Sequence, residues 1–416
     1  MDRDMNILLI NHFAGSKDYG MVFRPYYLSR ELLRHGHHIT IVAASYSHTR
    51  IKNPIVNKDM QVDIIDGISY VWLKTPSYKR SGLGRLANMV IFICKLCMYE
   101  KKIGRRSQPD VVIASSTYNL EIYSAKRIAR KYQAKLCYEV RDLWPMTPML
   151  IGGYSPKHPF IWVMQKAEDY AYRNCDFVVS LLSKAEPYMR DHGLENGKFY
   201  YIPNGIVLSD WNNPMELPKV HQDFFKGLKK NGKTIVGFAG AHGIANSLYA
   251  AIDAVSSLKE NNIDFVLVGS GPEKENLQRY VKKMLYDNVH FLAPVNKLAV
   301  PSLLKEMDIL YIGLQKQPLF RFGISPNKLF DYMMAGKPIV QAIDAGNNIV
   351  KEAQCGLNAE PDNSDDIKKA ILQIAHMSIE KRMEMGNNGK NYVLKNHTYQ
   401  VLSDRFLEVM NQLNNK

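Results

Sequence analysis

Short aliphatic and β-branched runs alternate with helical patterns along nearly all of this 416-residue chain, and this alternation constrains its fold more than any other feature. Strands that alternate with helices are typical of α/β units built on parallel sheets. The predicted strands of the first half are Asn6–Asn11, His38–Ala43, Val111–Ala114, Lys135–Glu139, Phe177–Leu181 and Tyr200–Ile202. Those of the second half are Thr234–Phe238, Asp264–Val268, Val289–Leu292, Ile309–Gly313 and Pro338–Gln341. The pattern predicts two doubly wound, Rossmann-like domains whose strand ends face a central cleft.

The helical patterns between these strands set the expected domain boundaries. The predicted helices are Tyr26–Arg34, Arg85–Glu100, Leu120–Tyr132, Phe160–Asn174, Ala245–Lys259, Lys274–Leu285, Val300–Lys305, Pro326–Ala335, Asp365–Ala375 and Val401–Gln412. The segment Pro203–Lys233 is rich in Asn, Pro and Lys without a sustained period, which is typical of a linker. We therefore expect an N-terminal domain over 1–205, a second domain over 206–395, and a C-terminal helix within 396–416 that packs back on the first domain.

The net charge of +14 is concentrated in one segment of the chain. Apolar residues make up 46% and charged residues 23%, as in soluble globular proteins. Between positions 74 and 106 a single acid, Glu100, accompanies the basic residues Lys74, Lys79, Arg80, Arg85, Lys95, Lys101, Lys102, Arg105 and Arg106. The apolar helix Leu83–Tyr99 within this segment is too short to span a bilayer but suits an anionic membrane surface.

The basic segment has two alternative interpretations besides membrane binding. The segment is also consistent with a core helix whose ends are basic. Nucleic-acid binding is disfavoured, because the basic residues alternate with Leu, Ile, Met and Val more than with stacking aromatics.

The cysteines and the N-terminus favour a cytoplasmic protein. Cys94 and Cys97 form a lone CxxC without a second pair, and Cys137 and Cys175 adjoin apolar runs, so we interpret them as structural thiols. The run Met5–Ile10 is too short for a secretory signal and is expected to form a first buried strand. No run of eighteen apolar residues predicts a transmembrane helix.

The segment from Phe322 to Val340 carries the most specific pattern for chemistry. Ser325 is a good N-cap and Pro326 suits the first helical position, which places Lys328 in the first turn. A lysine beside unpaired N–H groups at a helix N-terminus forms a phosphate site. Asp331 lies one turn after Asn327 and could accept hydrogen bonds from ribose hydroxyls. The alternative is an ordinary capped helix with a solvated lysine.

Two glycine-containing loops follow predicted strands of the same half. One contains Gly269 and Gly271, and the other contains Gly240, Gly243 and Asn246. Neither is a complete dinucleotide fingerprint, since Lys274 stands where the first loop would need its third glycine. Together with the Lys328 segment, they favour a nucleotide or sugar-nucleotide pocket over a set of unrelated turns.

In the first half, charged residues follow a predicted buried strand. Glu139, Arg141 and Asp142 lie where this strand leaves the sheet, so we expect Arg141 and Asp142 to face the cleft or to form a surface ion cluster. The loop after the first strand contains Gly20 and Arg24 and could also line the cleft.

Several segments together resemble the retaining glycosyltransferases of the GT-B fold (family four type), a large family that includes sucrose synthase, mannosyltransferases and O-antigen and capsule enzymes. They are Tyr201–Ile206, Phe238–Gly240, Phe265–Pro272, Val300–Leu304 and Ser325–Val340. The segments Arg141–Pro145 and Ser325–Met333 further resemble bacterial N-acetyl-L-fucosaminyltransferases.

The resemblance assigns Asp331 to the second acid of the family's E-x7-E pattern, which usually binds ribose. Gly323 occupies the position of the first acid, and the loop His242–Ser247 lacks the Arg and Lys that often bind the diphosphate. Lys328 and Arg321 are the nearest cations that could replace them.

The resemblance implies three sets of site residues. The implied donor site comprises Gly240, Gly243, Asn246, Gly269, Gly271, Val295, Arg321, Ser325, Pro326, Asn327, Lys328 and Asp331. The implied acceptor or cleft residues are Gly20, Arg24 and Asn204. The implied catalytic residues are Asp142, which would orient or deprotonate the acceptor hydroxyl, and Arg141, which would position it. No metal cofactor is expected.

The implied function is retaining transfer of a sugar from a nucleoside-diphosphate sugar, with UDP the expected nucleotide. The expected acceptor is lipid-linked or saccharide, in bacterial surface polysaccharide biosynthesis at the inner face of the cell membrane. The alternatives are a sugar-nucleotide epimerase on the same two-domain frame and a non-catalytic protein that binds sugar nucleotides.

Overall fold

The chain forms two compact units. The computed structural model describes residues 4–79 and 82–414, so Arg80 of the basic segment lies outside the described residues. The first unit comprises Met1–Pro203 and Tyr399–Lys416, and the second comprises Asn204–Thr398.

The first unit is built on an eight-stranded sheet in the order β3-β4-β2-β1-β5-β6-β7-β8. All neighbouring strands pair in parallel except β3 and β4, which form an antiparallel pair. The central strands are continuous apolar runs because helices cover both faces of such a sheet. The strands are β1 (Asn6–Ile10), β2 (His38–Ala44), β3 (Gln61–Ile65), β4 (Ile68–Leu73), β5 (Val111–Ala114), β6 (Lys135–Val140), β7 (Phe177–Ser180) and β8 (Phe199–Tyr201).

The helices of the first unit include the end of the chain. In order they are α1 (Arg24–Arg34), α2 (Leu83–Ser107), α3 (Ile122–Tyr132), α4 (Met146–Leu150), α5 (Pro159–Asn174) and α6 (Glu186–Asp191), and the last helix of the chain is Tyr399–Asn414. The last helix packs on α1 through the rings of Tyr27 and Tyr399, whose centroids are 5.2 Å apart. Its Phe406 is buried against Phe177.

The second unit contains a six-stranded, fully parallel sheet in the order β11-β10-β9-β12-β13-β14. Its strands are β9 (Thr234–Ala239), β10 (Ile263–Val268), β11 (Val289–Leu292), β12 (Ile309–Gly313), β13 (Ile339–Ala342) and β14 (Gly356–Asn358). Its helices are α7 (Ser209–Asn212), α8 (Lys219–Lys230), α9 (Leu248–Ser256), α10 (Lys274–Lys283), α11 (Val300–Lys305), α12 (Asn327–Met334), α13 (Ile349–Glu352), α14 (Ser364–Ala375) and α15 (Ile379–Asn396); the helix Tyr399–Asn414 of the first unit is therefore α16. Both units are thus Rossmann-like α/β domains.

The structure corrects several of the predicted elements. The hairpin β3–β4 was not predicted, and neither was β14 nor α15. The segment Pro203–Lys233 is not an irregular linker, because it contains α7 and α8. Helix α12 begins at Asn327 with Pro326 as its N-cap residue, one position later than the sequence predicts.

Candidate functional site

A cavity of about 310 Å³ opens at the carboxyl ends of β9, β10 and β11 in the second unit. Strand β9 lies between β10 and β12. The chain adds β10 and β11 on one side of β9 and then crosses over to add β12, β13 and β14 on the other side, so the strand order reverses beside this cavity. Open α/β sheets bind ligands at this point. The lining residues are Ala239, Gly240, Ala241, Val268, Gly269, Ser270, Pro294, Val295, Val300, Leu303, Lys328, Asp331 and Tyr332.

The floor of the cavity is formed by two glycine loops that pack backbone against backbone. A Cβ on Gly269 would lie 1.9 Å from the carbonyl oxygen of Gly240, and Gly269 has φ +153°. A Cβ on Gly271 would lie 2.3 Å from the carbonyl oxygen of His242. Glycine is therefore required here by close approach of the two loops, which exposes backbone to a ligand.

Lys328, in the first turn of α12, places a cation in the wall of this cavity. Its Nζ donates a hydrogen bond of 2.6 Å to Oδ1 of Asn246 and lies 4.4 Å from the ring centroid of Phe238. Burial lowers the pKa of Lys328 to about 8. No carboxylate among the described residues forms an ion pair with it. The lysine is therefore charged at neutral pH and available to an anion.

Asp331 lies one turn after Lys328 and lines the same cavity. Burial raises the pKa of its carboxyl to about 6, and Lys297 and a hydrogen bond from Trp211 offset part of this shift. The group is therefore ionised at neutral pH and can accept hydrogen bonds from hydroxyl groups.

The loop that leads into α12 is held by the start of the second unit. The backbone N–H of Asn204 donates to Oγ of Ser325 over 2.8 Å, and Nδ2 of Asn204 donates to the carbonyl of Ser325 over 2.8 Å. The Ser325 hydroxyl is engaged there and makes no capping hydrogen bond to α12. Asn204 therefore positions the loop before the Lys328 helix, and its role in an acceptor cleft stays a prediction.

The other predicted donor residues divide into two groups. Val295 lines the cavity together with Pro294, Val300 and Leu303, which gives this wall an apolar character suited to a nucleobase. Seven predicted donor residues do not line it; they are Gly243, Asn246, Gly271, Arg321, Ser325, Pro326 and Asn327. Arg321 is exposed and its guanidinium carbon lies 4.7 Å from the ring centroid of Phe322.

The structure places Arg24 of the first unit inside the protein. Its side chain is 3% exposed, and Nε donates to Oε1 of Glu139 over 3.0 Å. The remaining donors bond to the carbonyls of Ile202 and Pro203. Because protein acceptors occupy this guanidinium, Arg24 does not offer it to a ligand. Gly20, with φ +91°, lies in a buried turn.

Arg141 and Asp142 follow β6 directly. Burial lowers the pKa of Arg141, while Glu139 and Asp142 oppose that shift. The Nε of Arg141 is buried without a hydrogen-bond partner among the described residues. The Asp142 side chain is exposed to solvent, although desolvation raises its pKa and Arg141 counteracts the rise.

Sequence reasoning missed three residues that shape the cavity. His242 is fully buried, and neither of its ring nitrogens has a hydrogen-bond partner in the described chain. Burial, together with the charges of Lys274 and Lys328, lowers the pKa of this imidazole to about 4. Lys274 donates to the carbonyls of Gly269 and Leu292, and the Tyr332 hydroxyl accepts from the Ala239 N–H. Of these three residues, only Lys274 could have been found from the sequence, because it follows the loop that contains Gly269 and Gly271.

The described residues contain neither a metal-ligand cluster nor a membrane-spanning helix. Within residues 4–79 and 82–414, no three His, Cys, Asp or Glu side chains gather where they could hold a metal ion. None of the helices in this part of the chain combines the length and apolar character needed to cross a bilayer.

Comparisons with known proteins place both units in one class. Residues 220–392 match the family described as glycosyl transferases group 1, and residues 20–205 match the glycosyl transferase 4-like domain. Among curated protein sequences, none matches this chain significantly.

Solved structures of similar fold cover the whole chain. Sucrose-phosphate synthase from Thermosynechococcus elongatus has 14% identity and a TM-score of 0.70 over 98% of both chains. Anabaena HepE in complex with UDP has 15% identity and a TM-score of 0.67 over 98% of this chain and 100% of that one. WaaG, a glycosyltransferase involved in lipopolysaccharide biosynthesis, has 14% identity and a TM-score of 0.63 over 97% of this chain and 99% of that one. At these identities the similarity establishes the fold alone.

The two matched domains identify the chain as a glycosyltransferase, and its two Rossmann-like units have the GT-B fold of the similar structures. The chain belongs to the group 1 glycosyltransferase family, with a glycosyl transferase 4-like first domain.

Proposed function

We propose that this enzyme transfers a sugar from a UDP-linked donor to a lipid-linked or saccharide acceptor, with retention of anomeric configuration. The observation that carries the proposal is the pairing of Lys328, a cation without an acidic partner in the described chain, with Asp331 one turn away in the same cavity. The UDP bound to HepE, which shares the fold, supports the choice of nucleotide.

The cavity suggests how such a donor binds. The apolar wall that includes Val295 would contact the base, and the Asp331 carboxylate would accept hydrogen bonds from the ribose hydroxyls. The diphosphate would then lie against Lys328 and the backbone of Gly240 and Ala241.

The charges of the site fit the proposed reaction. The bond between the anomeric carbon and the diphosphate oxygen breaks, and the acceptor oxygen bonds to the same face of that carbon. Lys328 stabilises the charge that develops on the leaving diphosphate, which is usually the largest catalytic effect at such a step. We therefore propose that the protein neutralises this charge without a metal cofactor.

Turnover with a panel of nucleotide sugars tests this proposal. We expect free nucleotide to appear only when an acceptor is present, and turnover to persist in excess EDTA. Isomerised donor without acceptor would instead indicate an epimerase. Donor binding without any turnover would indicate a non-catalytic protein, and either result would overturn the proposal.

We further propose that Asp142 orients or deprotonates the acceptor hydroxyl and that Arg141 positions its carboxylate. The support is their place directly after β6 and the mutual effect on their pKa values. An Asp142→Asn variant that folds normally should lose about 10²-fold or more in turnover, as for loss of a general base. Near-normal turnover would remove Asp142 from the mechanism.

The biological setting that we propose is surface polysaccharide assembly, O-antigen or capsule, at the inner face of the cell membrane. The resemblance of the segments Arg141–Pro145 and Ser325–Met333 to bacterial N-acetyl-L-fucosaminyltransferases supports this setting, as does the fold shared with WaaG, described as a glycosyltransferase involved in lipopolysaccharide biosynthesis. Helix α2 supports the membrane location, because it buries Phe92 and Leu96 while Leu83 and Met98 are 86% and 71% exposed.

A further inference from the structure

A cluster of aromatic and basic side chains lies at the carboxyl edge of the first unit's sheet and has no role in the mechanism above. We name it the edge cluster; it consists of Tyr46, His48, Tyr78 and Arg85. Tyr46 and His48 follow β2, Tyr78 follows β4, and Arg85 lies in the first turn of α2. Three different segments of the chain therefore meet at this edge.

Contacts among the rings hold the edge cluster together. The ring centroids of Tyr46 and Tyr78 are 5.0 Å apart, and the Tyr46 hydroxyl donates to the carbonyl of Tyr78 over 2.9 Å. The Tyr78 hydroxyl lies 2.7 Å from Nδ1 of His48. A Cβ on Gly84 would lie 3.0 Å from Cβ of Tyr78, so the first turn of α2 packs closely on this ring. The cluster is thus preorganised rather than a group of loose surface side chains.

Arg85 gives the edge cluster an uncompensated positive charge. It is half-buried, and no carboxylate in the described chain pairs with it. His48 has solvent access, but desolvation by the groups packed against its ring, and then the charge of Arg85, lower its pKa, so this imidazole is neutral and can offer a hydrogen bond. A fixed cation beside a neutral imidazole and phenol hydroxyls matches an oxyanion.

The start of α2 adds to this preference for an anion. Its first turn contains no acidic residue, and no side chain among the described residues caps its N-terminus. Free N–H groups at a helix start favour negative charge.

Behind the edge cluster, His12 and Asn88 are fully buried, and neither Nε2 of His12 nor Oδ1 of Asn88 makes a hydrogen bond of normal geometry within the described chain.

An apolar strip continues from the edge cluster along the outer face of α2. Leu83, Leu86 and Val90 are 86%, 43% and 47% exposed, and they flank Arg85 at helical spacing. An oxyanion site that adjoins an exposed apolar strip matches an amphiphile whose polar end is a phosphate.

We propose that the edge cluster binds the phosphate of a lipid-linked acceptor, with the hydrocarbon chain along Leu83, Leu86 and Val90. This inference rests on the proposed function, because it specifies the acceptor as a phosphorylated lipid. Arg85 and His48 contact the phosphate, and Tyr78 positions the imidazole of His48.

Calorimetric titration of the full chain with three probes tests the inference. The probes are octyl phosphate below its micelle concentration, inorganic phosphate, and octyl β-glucoside, which has the same chain without the anion. We expect octyl phosphate to bind at least tenfold more tightly than either of the other two. Equal affinity for inorganic phosphate would assign the site to free phosphate, and equal affinity for octyl β-glucoside would assign it to the chain; both results would overturn the inference.

Matched variants locate the binding. Arg85→Gln should weaken octyl phosphate at least tenfold, whereas Arg106→Gln, exposed on the same helix, should not. Arg85→Lys should retain part of the affinity, which would show that loss in Arg85→Gln is not misfolding. Equal affinity in wild type and Arg85→Gln, or equal losses in Arg85→Gln and Arg106→Gln, would overturn the inference.

A thermal-shift measurement with UDP on the same variants separates this inference from the proposed function. UDP should stabilise wild type and Arg85→Gln equally, because the donor cavity lies in the second unit. If UDP binds and octyl phosphate does not, the acceptor inference alone fails. If UDP does not bind to any variant, the proposed function fails first.

Discussion

At the residue scale, burial moves the two charged groups of the donor cavity in opposite directions. It lowers the pKa of Lys328 to about 8 and raises that of Asp331 to about 6. Desolvation disfavours the charged form of each group, which is why the shifts have opposite signs. Both groups carry their charge between about pH 6 and pH 8, so the cavity has a cation and a carboxylate together only in that window.

The first prediction concerns Lys328 and pH. UDP affinity of the wild type should fall as the pH rises through about 8, because the lysine of the free enzyme then loses its proton. Lys328→Met should bind UDP about 10²-fold more weakly at pH 7, with little change in affinity across this pH range, since hydrogen bonds to charged groups contribute roughly 1.5–3 kcal/mol. Calorimetry at several pH values measures both effects.

The control for this prediction is Lys283→Met, which removes an exposed lysine from α10 of the same unit. It should keep wild-type affinity and the wild-type pH dependence. If both variants lose affinity equally, general charge and not Lys328 attracts the nucleotide.

The second prediction concerns Asp331 and ribose. Asp331→Asn should weaken UDP about tenfold and reduce discrimination between UDP and its 2′,3′-dideoxy analogue, because the amide keeps one uncharged acceptor oxygen in place of the two oxygens of the carboxylate. In the wild type the discrimination should also decrease below pH 6, where Asp331 takes up a proton. Competition binding with the two nucleotides measures it, and undiminished discrimination in the variant would contradict the ribose role.

Thermal melting provides the control for Asp331→Asn. The pKa of Asp331 is raised on folding, so this residue stabilises the fold only when protonated and its ionisation above about pH 6 costs stability. The variant should therefore have an unchanged or higher Tm at pH 7. A lower Tm would mean that weak UDP binding reflects damage to the fold.

At the element scale, the sequence predicted the strands better than the segments between them. The central strands are long apolar runs such as Ile263–Val268, all of whose residues are buried. The segment of α8 gave no periodic signal, because only His221 and Phe225 of this helix are buried. The hairpin β3–β4 was missed because Ile64 is 64% exposed and its strand has little apolar alternation.

In the proposed donor site, the sequence predicts residues that are close together along the chain but not contacts between residues that are far apart. Lys328 and Asp331 were predictable because both lie on one helix at a spacing that the sequence shows. The hydrogen bonds of Asn204 to Ser325 join residues 121 positions apart, and no local pattern could reveal them. The buried ion pair of Arg24 with Glu139 could not be predicted for the same reason, since the two residues are 115 positions apart.

The third prediction tests the packing of the two glycine loops. Gly269→Ala should lower UDP affinity and reduce the Tm by several degrees, because the new Cβ would meet the Gly240 carbonyl oxygen at 1.9 Å. A side chain at this φ of +153° adds backbone strain of about 1–3 kcal/mol. Each kcal/mol lowers the Tm by about 2–4 °C in a domain of this size.

Gly227→Ala is the matched control for the loop variant. Gly227 lies within α8 of the same unit, and a Cβ there would meet no atom within 4 Å. This control should keep UDP affinity and raise the Tm, since alanine is the better helix former by about 1 kcal/mol. Wild-type UDP affinity in Gly269→Ala would show that the loops need not touch.

At the scale of the whole molecule, the charge of +14 is organised by one helix. The last two turns of α2 expose Lys101, Lys102, Arg105 and Arg106, and its outer face exposes Leu83 and Val90. The opposite face packs in the core through Phe92 and Leu96. The core-helix interpretation therefore applies to this face, whereas the membrane interpretation, which stays a prediction, concerns the exposed face. Basic ends with an exposed apolar strip suit the surface of an anionic bilayer.

The last prediction is that the enzyme binds vesicles of anionic lipid, and that salt weakens this binding. Each Lys or Arg near such a surface contributes roughly 1 kcal/mol, so glutamine at Lys101, Lys102, Arg105 and Arg106 should reduce partitioning by about 10²-fold or more. Glutamine at Lys219, Lys226, Lys229 and Lys230, exposed on α8, removes the same charge and should leave binding unchanged. Sedimentation with phosphatidylglycerol and phosphatidylcholine vesicles measures this. Equal recovery with both lipids would show that apolar adsorption brings the protein to the membrane. Equal losses in both variants would show that net charge does so, and either result would contradict the role of α2.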